Sequence, residues 1–416
     1  FKQKTAYEIG VRLVGSEMCI RDSIAWTASA SKPCSTRWKR YSAMSSRLRG
    51  RIEAIARAGQ ARLATLGRRH APTHPERILV AHHLLLGDTL MLTPLLAKIR
   101  QRWPDADLAM TVPSAFLPLY STRPYGVRAL AFEPKDRTSL RALWRESGFD
   151  LAVVPGDNRF SWLAAAMHAR WIVAFAGDRP AYKSWPVDEL RPYPATPGAW
   201  GDAVAGLIEG DETPAYSVAD WPQPAAESFA RPAAPYAVLH VGASSPLKLW
   251  SPERWMALAH RLEQAGLHVV WSGGRGEQRI VESIDPQQQY CSYAGRLSLP
   301  QLWHLLADAA LLVCPDTGIA HLGRIVGTRT VTLFGPGSAT ICGRGRFWRN
   351  SPYVALGEEA FECRDQRVLF KREIAWVRRC GRSTRECAHP RCMDRLDVDG
   401  VVRQAISLLD SKAQGT

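Results

Sequence analysis

From Arg77 onward, apolar and polar positions follow two alternating periods. Short apolar runs at 78–81, 108–112, 127–132, 149–154 and 171–175 are separated by stretches of helical period at 89–102, 139–146 and 161–168. Buried strands joined by helical crossovers make parallel βαβ units, and in the first helical stretch Leu90, Leu92, Leu95, Leu96 and Ile99 are available to cover the sheet. A further helix is expected near 201–209. The order then lapses in GDETPAYSVADWPQPAAESFARPAAP, whose Pro, Ala and polar content is that of a linker. It restarts with a strand at 237–241, a loop at 242–250, a helix at 252–264 with Trp255, Leu258, Ala259 and Leu262 inward, and a strand at 267–272 ending on Gly273-Gly274. The pattern predicts an extension over 1–76, a first domain over 77–215, a linker over 216–235, a second domain over 236–396, and a C-terminal helix within 397–416.

One stretch carries the most chemistry. LLVCPDTGIAHLGRIVGTRTVTLFGPG reads as a strand (311–314), a turn at Pro315-Asp316, a helix opening at Thr317-Gly318, and a second strand (330–334) closed by Gly335-Pro336-Gly337. In such sheets ligands collect beyond the carboxyl ends of the strands, where helix N-termini favour anions. Asp316, Thr317, Gly318 and His321 lie there and fit a phosphorylated ligand, or, more plainly, a turn and an N-cap. Asp-Thr-Gly also occurs in aspartic proteases, but those need two carboxylates sharing a proton in a β-rich fold. Here one copy runs into a helix, and that class is set aside. On the 242–250 loop, Ser244, Ser245 and Lys248 supply two hydroxyls and a mobile cation suited to a diphosphate. Gly87-Asp88, at the end of the first strand, is either a helix N-terminal carboxylate or a general base facing an interdomain cleft.

Composition narrows the partners. At 416 residues the chain suits two domains, and its formal charge of +15 calls for an anionic partner. No apolar run reaches the roughly 18–20 residues of a membrane-spanning helix, so a soluble or peripheral protein is expected. Nine cysteines are few for this length and suggest a reducing cytoplasm. Cys363, Cys380, Cys387 and Cys392, with His389 among them, are either ligands of a structural zinc or reduced thiols, since no C-x-x-C pair is present. Lys371, Arg372, Arg378, Arg379, Arg382 and Arg385, around Trp376, suit an anionic glycolipid or membrane surface better than RNA. Residues 1–23 resemble translated sequencing-adapter read-through and are excluded from fold reasoning, with Met44 the expected native start. Over 44–69, Leu48, Ile52, Ile55, Leu63 and Leu66 fall near one helical face and Arg47, Arg51, Arg57 and Arg62 mostly elsewhere. That stretch is either a basic amphipathic helix for an anionic membrane or a solvated leader.

LLLGDTLMLTPLL, LHVGASSPLKLWSPERW, VVWSGG and PDTGIAHLGRIVGTRTVTLFGPG, in this order, resemble the family 9 glycosyltransferases, the lipopolysaccharide heptosyltransferases, from Arg77 to the C-terminus. The resemblance implies an α/β GT-B architecture: two facing Rossmann-like domains with parallel sheets, donor on the second, acceptor on the first, and a C-terminal helix crossing back. It makes Asp88 the general base. Ser244, Ser245, Lys248, Asp316, Thr317, Gly318 and His321 become donor-diphosphate residues, Glu277 lies near the ribose, and Arg159 faces the acceptor. It also implies inversion without a metal or cofactor. The expected donor is a nucleotide sugar, most simply ADP-heptose. The expected acceptor is lipopolysaccharide core or a related lipid-linked glycan, met at an anionic membrane surface on the cytoplasmic side, with no specific nucleic acid. The competing class is a non-catalytic basic module for RNA or acidic glycolipid on a transferase scaffold.

Overall fold

The computed structural model describes residues 35–411, apart from 66 and 68; for 35–49 it describes the backbone. The expectations for 1–23 and for the side chains of Leu48 and Leu66 lie outside the described residues.

Two six-stranded sheets organise the chain. The first has the order β3-β2-β1-β4-β5-β6, from β1 (Arg77–Val80), β2 (Asp107–Val112), β3 (Arg128–Ala131), β4 (Leu151–Val154), β5 (Trp171–Phe175) and β6 (Glu189–Arg191). The second has the order β12-β11-β10-β7-β8-β9, from β7 (Tyr236–His240), β8 (His268–Ser272), β9 (Cys291–Ser292), β10 (Leu311–Pro315), β11 (Thr330–Leu333) and β12 (Tyr353–Leu356). Every pairing in both sheets is parallel; Ile78, for example, lies beside Leu108 and Leu151. The central strands are buried on both faces, which is why they read as continuous apolar runs. A small antiparallel hairpin, β13 (Val368–Leu369) and β14 (Arg372–Glu373), stands apart.

The helices are α1 (Ser35–Ala64), α2 (Leu86–Leu90), α3 (Thr93–Arg102), α4 (Arg137–Arg145), α5 (Ser161–Ala166) and α6 (Trp200–Ala205) around the first sheet. Around the second are α7 (Pro252–Gln264), α8 (Gln278–Ile284), α9 (Leu299–Ala307), α10 (Gly318–Val326), α11 (Ala339–Cys342), α12 (Arg391–Asp394) and α13 (Val398–Asp410). The helix expected at 89–102 is two: α2 begins earlier, and the chain restarts as α3 with Pro94 in its first turn. Proline lacks the N–H that a continuous helix would need there, so the break belongs just before it.

The linker composition marks a connection that is nonetheless pinned. Trp221 is 1% exposed, its indole N–H donates to the Leu119 carbonyl at 3.1 Å, and its ring packs on Trp303. The C-terminal helix α13 buries Val401, Val402 and Ala405 against α7 and β10–β12, so its apolar side is satisfied within the second domain. Upstream, the β13–β14 hairpin makes one of the contacts with the first domain. Arg372, 2% exposed, donates to the carbonyls of Gly156 and Ala176 and to the Asn158 side chain, all in the first domain.

Candidate active site

The two domains meet where the N-terminus of α2 faces that of α10. Two glycines make the approach possible. A Cβ on Gly87 would lie 3.2 Å from the Gly318 Cα and 3.0 Å from the His321 ring, and one on Gly318 would lie 3.1 Å from the Gly87 nitrogen. A side chain at either position would crowd this contact and require its neighbours to give way. Asp88 follows in the first turn of α2, half-buried, and its side chain caps nothing: α2 has no side-chain cap and the carboxylate makes no hydrogen bond to a described residue. It does stand in the first turn of the helix, where the dipole favours a carboxylate. Burial lifts the Asp88 carboxyl to about 6, against the opposing pull of Arg379 and Lys248 and with a smaller push from Asp316. A carboxylate that basic, held at a cleft floor, is suited to take a proton near neutral pH.

Across from it, the Lys248 ammonium contacts the Asp316 carboxylate at 2.7 Å and the Asp316 carbonyl at 2.8 Å. Desolvation pulls Lys248 down, but attraction to Asp316 and the hydrogen bond to it outweigh that and leave it raised, so it stays charged. Asp316 is fixed in turn: a Cβ on Gly337 would overlap its Oδ2, so only glycine leaves the carboxylate room. Buried Arg364 secures that turn by donating to the carbonyls of Gly335, Gly337 and Glu358. Asp316 thereby orients the Lys248 ammonium.

His321 lies on α10 at 5% exposure, and its Nδ1 is partnered by the Arg324 guanidinium. Because arginine can only donate, Nδ1 is the acceptor and the proton sits on Nε2. Burial, then Arg324 and Lys248, hold the imidazole well below its usual pKa, so it is a neutral donor beside Gly87. Arg324 is locked by the carbonyls of Cys342 and Gly343 and by the ring faces of Trp348 and Tyr353. The Thr317 hydroxyl caps α10 by accepting from the Ile319 N–H, and Ser245 caps the turn before Lys248 by accepting from the Leu247 N–H. Ser244 is exposed on the same loop.

The remaining candidates lie farther out. The Glu277 carboxylate accepts from the Gly274 N–H and fills the space that a side chain on Gly242 would take, at the ends of β7 and β8. Desolvation raises its pKa, opposed by the bond from Gly274. Arg159 sits just beyond β4, paired with Asp157 at 3.2 Å and stacked near Phe160. Among the described residues no three of His, Cys, Asp and Glu are placed to hold a metal ion, so Cys363, Cys380, Cys387 and Cys392 are not assembled as a zinc site. Burial instead pushes the Cys380 and Cys392 thiols up. The C-terminal basic residues do not form one surface either. Arg372 is buried, Arg382 pairs with Asp365 at 2.7 Å, and the Trp376 indole donates to the Pro194 carbonyl.

Three contributors escaped the motifs. Arg379 reaches the field of Asp88 and Lys248, and Cys342, its thiol pushed up to about 12 by burial, borders the same charges. Arg364 is the third, and nothing in its local sequence distinguishes it from a surface arginine. Two hollows of about 360 and 220 Å³ lie elsewhere, at Lys98–Glu212 and around Trp221, and neither is lined by Asp88, Lys248 or Asp316. Among the described residues, no helix is long and apolar enough to cross a membrane.

This arrangement agrees with what the chain is similar to. A sequence model of glycosyltransferase family 9 (heptosyltransferase) matches residues 201–367. Lipopolysaccharide heptosyltransferase 3 of Escherichia coli K12 is 23% identical over 287 residues, covering 60% of this chain and 79% of that protein. Among solved structures, a family 9 glycosyl transferase from Veillonella parvula superposes with a TM-score of 0.62 at 16% identity, over 81% of this chain and 98% of the other. E. coli ADP-heptose lipopolysaccharide heptosyltransferase II does so at 0.60 and 18%, over 81% and 99%. Those likenesses supply the fold, two facing Rossmann-like domains of the GT-B kind. Residues 201–367 of this chain match the glycosyltransferase family 9 (heptosyltransferase) domain, and the matches together indicate a glycosyltransferase.

Proposed function

We propose that this glycosyltransferase moves a heptose from ADP-heptose, with inversion, to a hydroxyl of lipopolysaccharide core or a related lipid-linked glycan. The observation that carries the reading is the opposition of Asp88, at about 6, to the Lys248–Asp316 pair and neutral His321 across a glycine-on-glycine contact. ADP-heptose is the donor in the name of the solved E. coli relative. Asp88 accepts the proton of the acceptor hydroxyl as its oxygen attacks the anomeric carbon. The bond to the diphosphate breaks on the opposite face, and the electron pair leaves with ADP. Lys248, the N-terminus of α10 and the His321 Nε2–H stabilise the charge that develops on the leaving oxygens. Thr317 and Gly318 shape that helix end, Ser244 and Ser245 flank the phosphates, and Glu277 accepts from the ribose hydroxyls. Arg159 faces the acceptor.

The test is a transfer assay with ADP-heptose and heptose-deficient lipopolysaccharide, followed by release of ADP and by the mass of the glycan. One added heptose, absent with Asp88→Asn, is expected. Release of ADP with no sugar on the glycan would remove the acceptor from the proposal, and no stabilisation by ADP in a thermal-shift measurement would remove the donor.

A further inference from the structure

Helix α1 has its residue sizes the wrong way round for a helix that only packs on its own protein. The side against α4 and α5 is made of small residues: Gly50 and Ala58 are buried and Ala54 and Ala61 half-buried. Its polar anchors are Glu53, which accepts from the Trp144 indole at 2.9 Å, and Arg62, which pairs with Asp188 at 3.0 Å. The side facing away carries the large apolar residues. Ile52, Ile55 and Leu63 are 58%, 51% and 73% exposed, with Ala56 exposed on the same side. Spacings of three, four, seven and eleven from Ile52 put Ile55, Ala56, Gly59 and Leu63 on one outward stripe. Leaving three branched side chains in water while alanines fill the contact forgoes apolar burial that a simple exchange of faces would recover.

We infer that this outward stripe of α1 is a docking face for an anionic lipid bilayer surface. Charge chooses the occupant. Between positions 47 and 63 the sequence of the helix has five arginines against the single acid Glu53; Arg57 lies over the Trp144 ring and Arg62 pairs with Asp188, while Arg51 is exposed beside the stripe. In the last turn of α1, Arg62 also donates to the Pro186 carbonyl, which brings the helix to a segment bearing Tyr182 and Trp185 at 51% and 74% exposure. Branched aliphatics with arginine beside them, and exposed aromatics near the helix end, are the residue types that settle at an anionic headgroup boundary, with the apolar chains inserted and the cations in the phosphate layer. A second copy of the chain would place arginines against arginines along the same stripe, which like-charge repulsion opposes. The inference is read from the surface of α1 and stands apart from the transfer reaction.

The test is cosedimentation of the full chain with vesicles of phosphatidylcholine alone or with phosphatidylglycerol at about one lipid in three, at low and high salt. Binding to the anionic vesicles, weakened by salt, is expected. Joint Ile52→Ser, Ile55→Ser and Leu63→Ser should lower the vesicle partition at least about tenfold without lowering the melting temperature, because the three are exposed. Arg51→Glu should lower it several-fold. Equal partition of the triple variant and the parent would overturn the inference. So would equal binding to neutral vesicles, or a parent dimer that the triple substitution disperses, which would make the stripe a contact between copies.

Discussion

The two domains touch in two very different ways, at the glycine contact beneath Asp88 and at the Arg372 hairpin. At the first, Gly87 and Gly318 bring two helix N-termini together, and the charged groups around them keep bonding capacity for something else: Asp88 bonds to no described residue. At the second, Arg372 spends its guanidinium on Gly156, Ala176, Asn158 and Phe175, with Asp178 at 3.7 Å, and Phe370 from the same hairpin stacks on Trp200. A site that must bind a ligand leaves its charges underused, while a structural joint satisfies its cation internally. Burial alone does not tell the two apart; the count of bonds already made does.

Substitutions should separate the two contacts. The largest effect is expected from Asp88→Asn, which removes the base and should cost about 10²–10⁴ in transfer rate, with ADP affinity unchanged by calorimetry. The parent should lose kcat/KM as pH falls through about 6, where Asp88 takes up its proton, and the residual activity of the variant should lack that limb. The sign for stability is opposite. A raised carboxyl favours the folded state in its protonated form, so this group weakens folding as pH rises through the same range. A pH at which rate and melting temperature fall together on the acid side would point to some other group.

Arg372→Ala should act on the joint, leaving the Asn158 side chain and the carbonyls of Gly156 and Ala176 without their donor while Asp178 keeps Lys183, at a cost of about 1–3 kcal/mol in denaturant unfolding. The acid limb of the rate should stay at about 6, since Asp88 is untouched. If the limb moves, the hairpin tunes the site as well as holding it, and the contrast between the two contacts fails. Lys248→Ala should weaken ADP binding by roughly ten- to a hundredfold, the scale of a lost charge-assisted bond. Global stability should fall as well, because Asp316, buried, loses its cation. The smallest effect belongs to Glu277→Gln, which keeps the bond from the Gly274 N–H while removing charge; a loss of a few-fold in ADP affinity is expected. No change on isothermal titration would return Glu277 to a purely structural role at the strand ends.

The alternation of short apolar runs with helical periods was enough to anticipate the parallel strands, because strands covered on both faces must be apolar throughout. The split between α2 and α3 was missed although Pro94 announces it. The period of Leu92, Leu95 and Ile99 runs smoothly through a break that changes only two backbone positions. The motif did not show that the Asp316 carboxylate bonds to Lys248. The spacing within Asp-Thr-Gly says nothing of a lysine 68 positions upstream.

The chain's own order of residues determined the elements, the loops that crown them and the four motifs, because each depends on neighbours within a turn or a strand. Only the tertiary structure decided which side of α1 is inward, that Arg372 is a buried joint and not a surface cation, and that Gly337 exists to make room for Asp316. It also decided that Asp88 opposes Lys248 with its basicity raised to about 6. Those facts are distances and desolvation between residues far apart in sequence, and such terms arise only when the two sheets have been brought face to face.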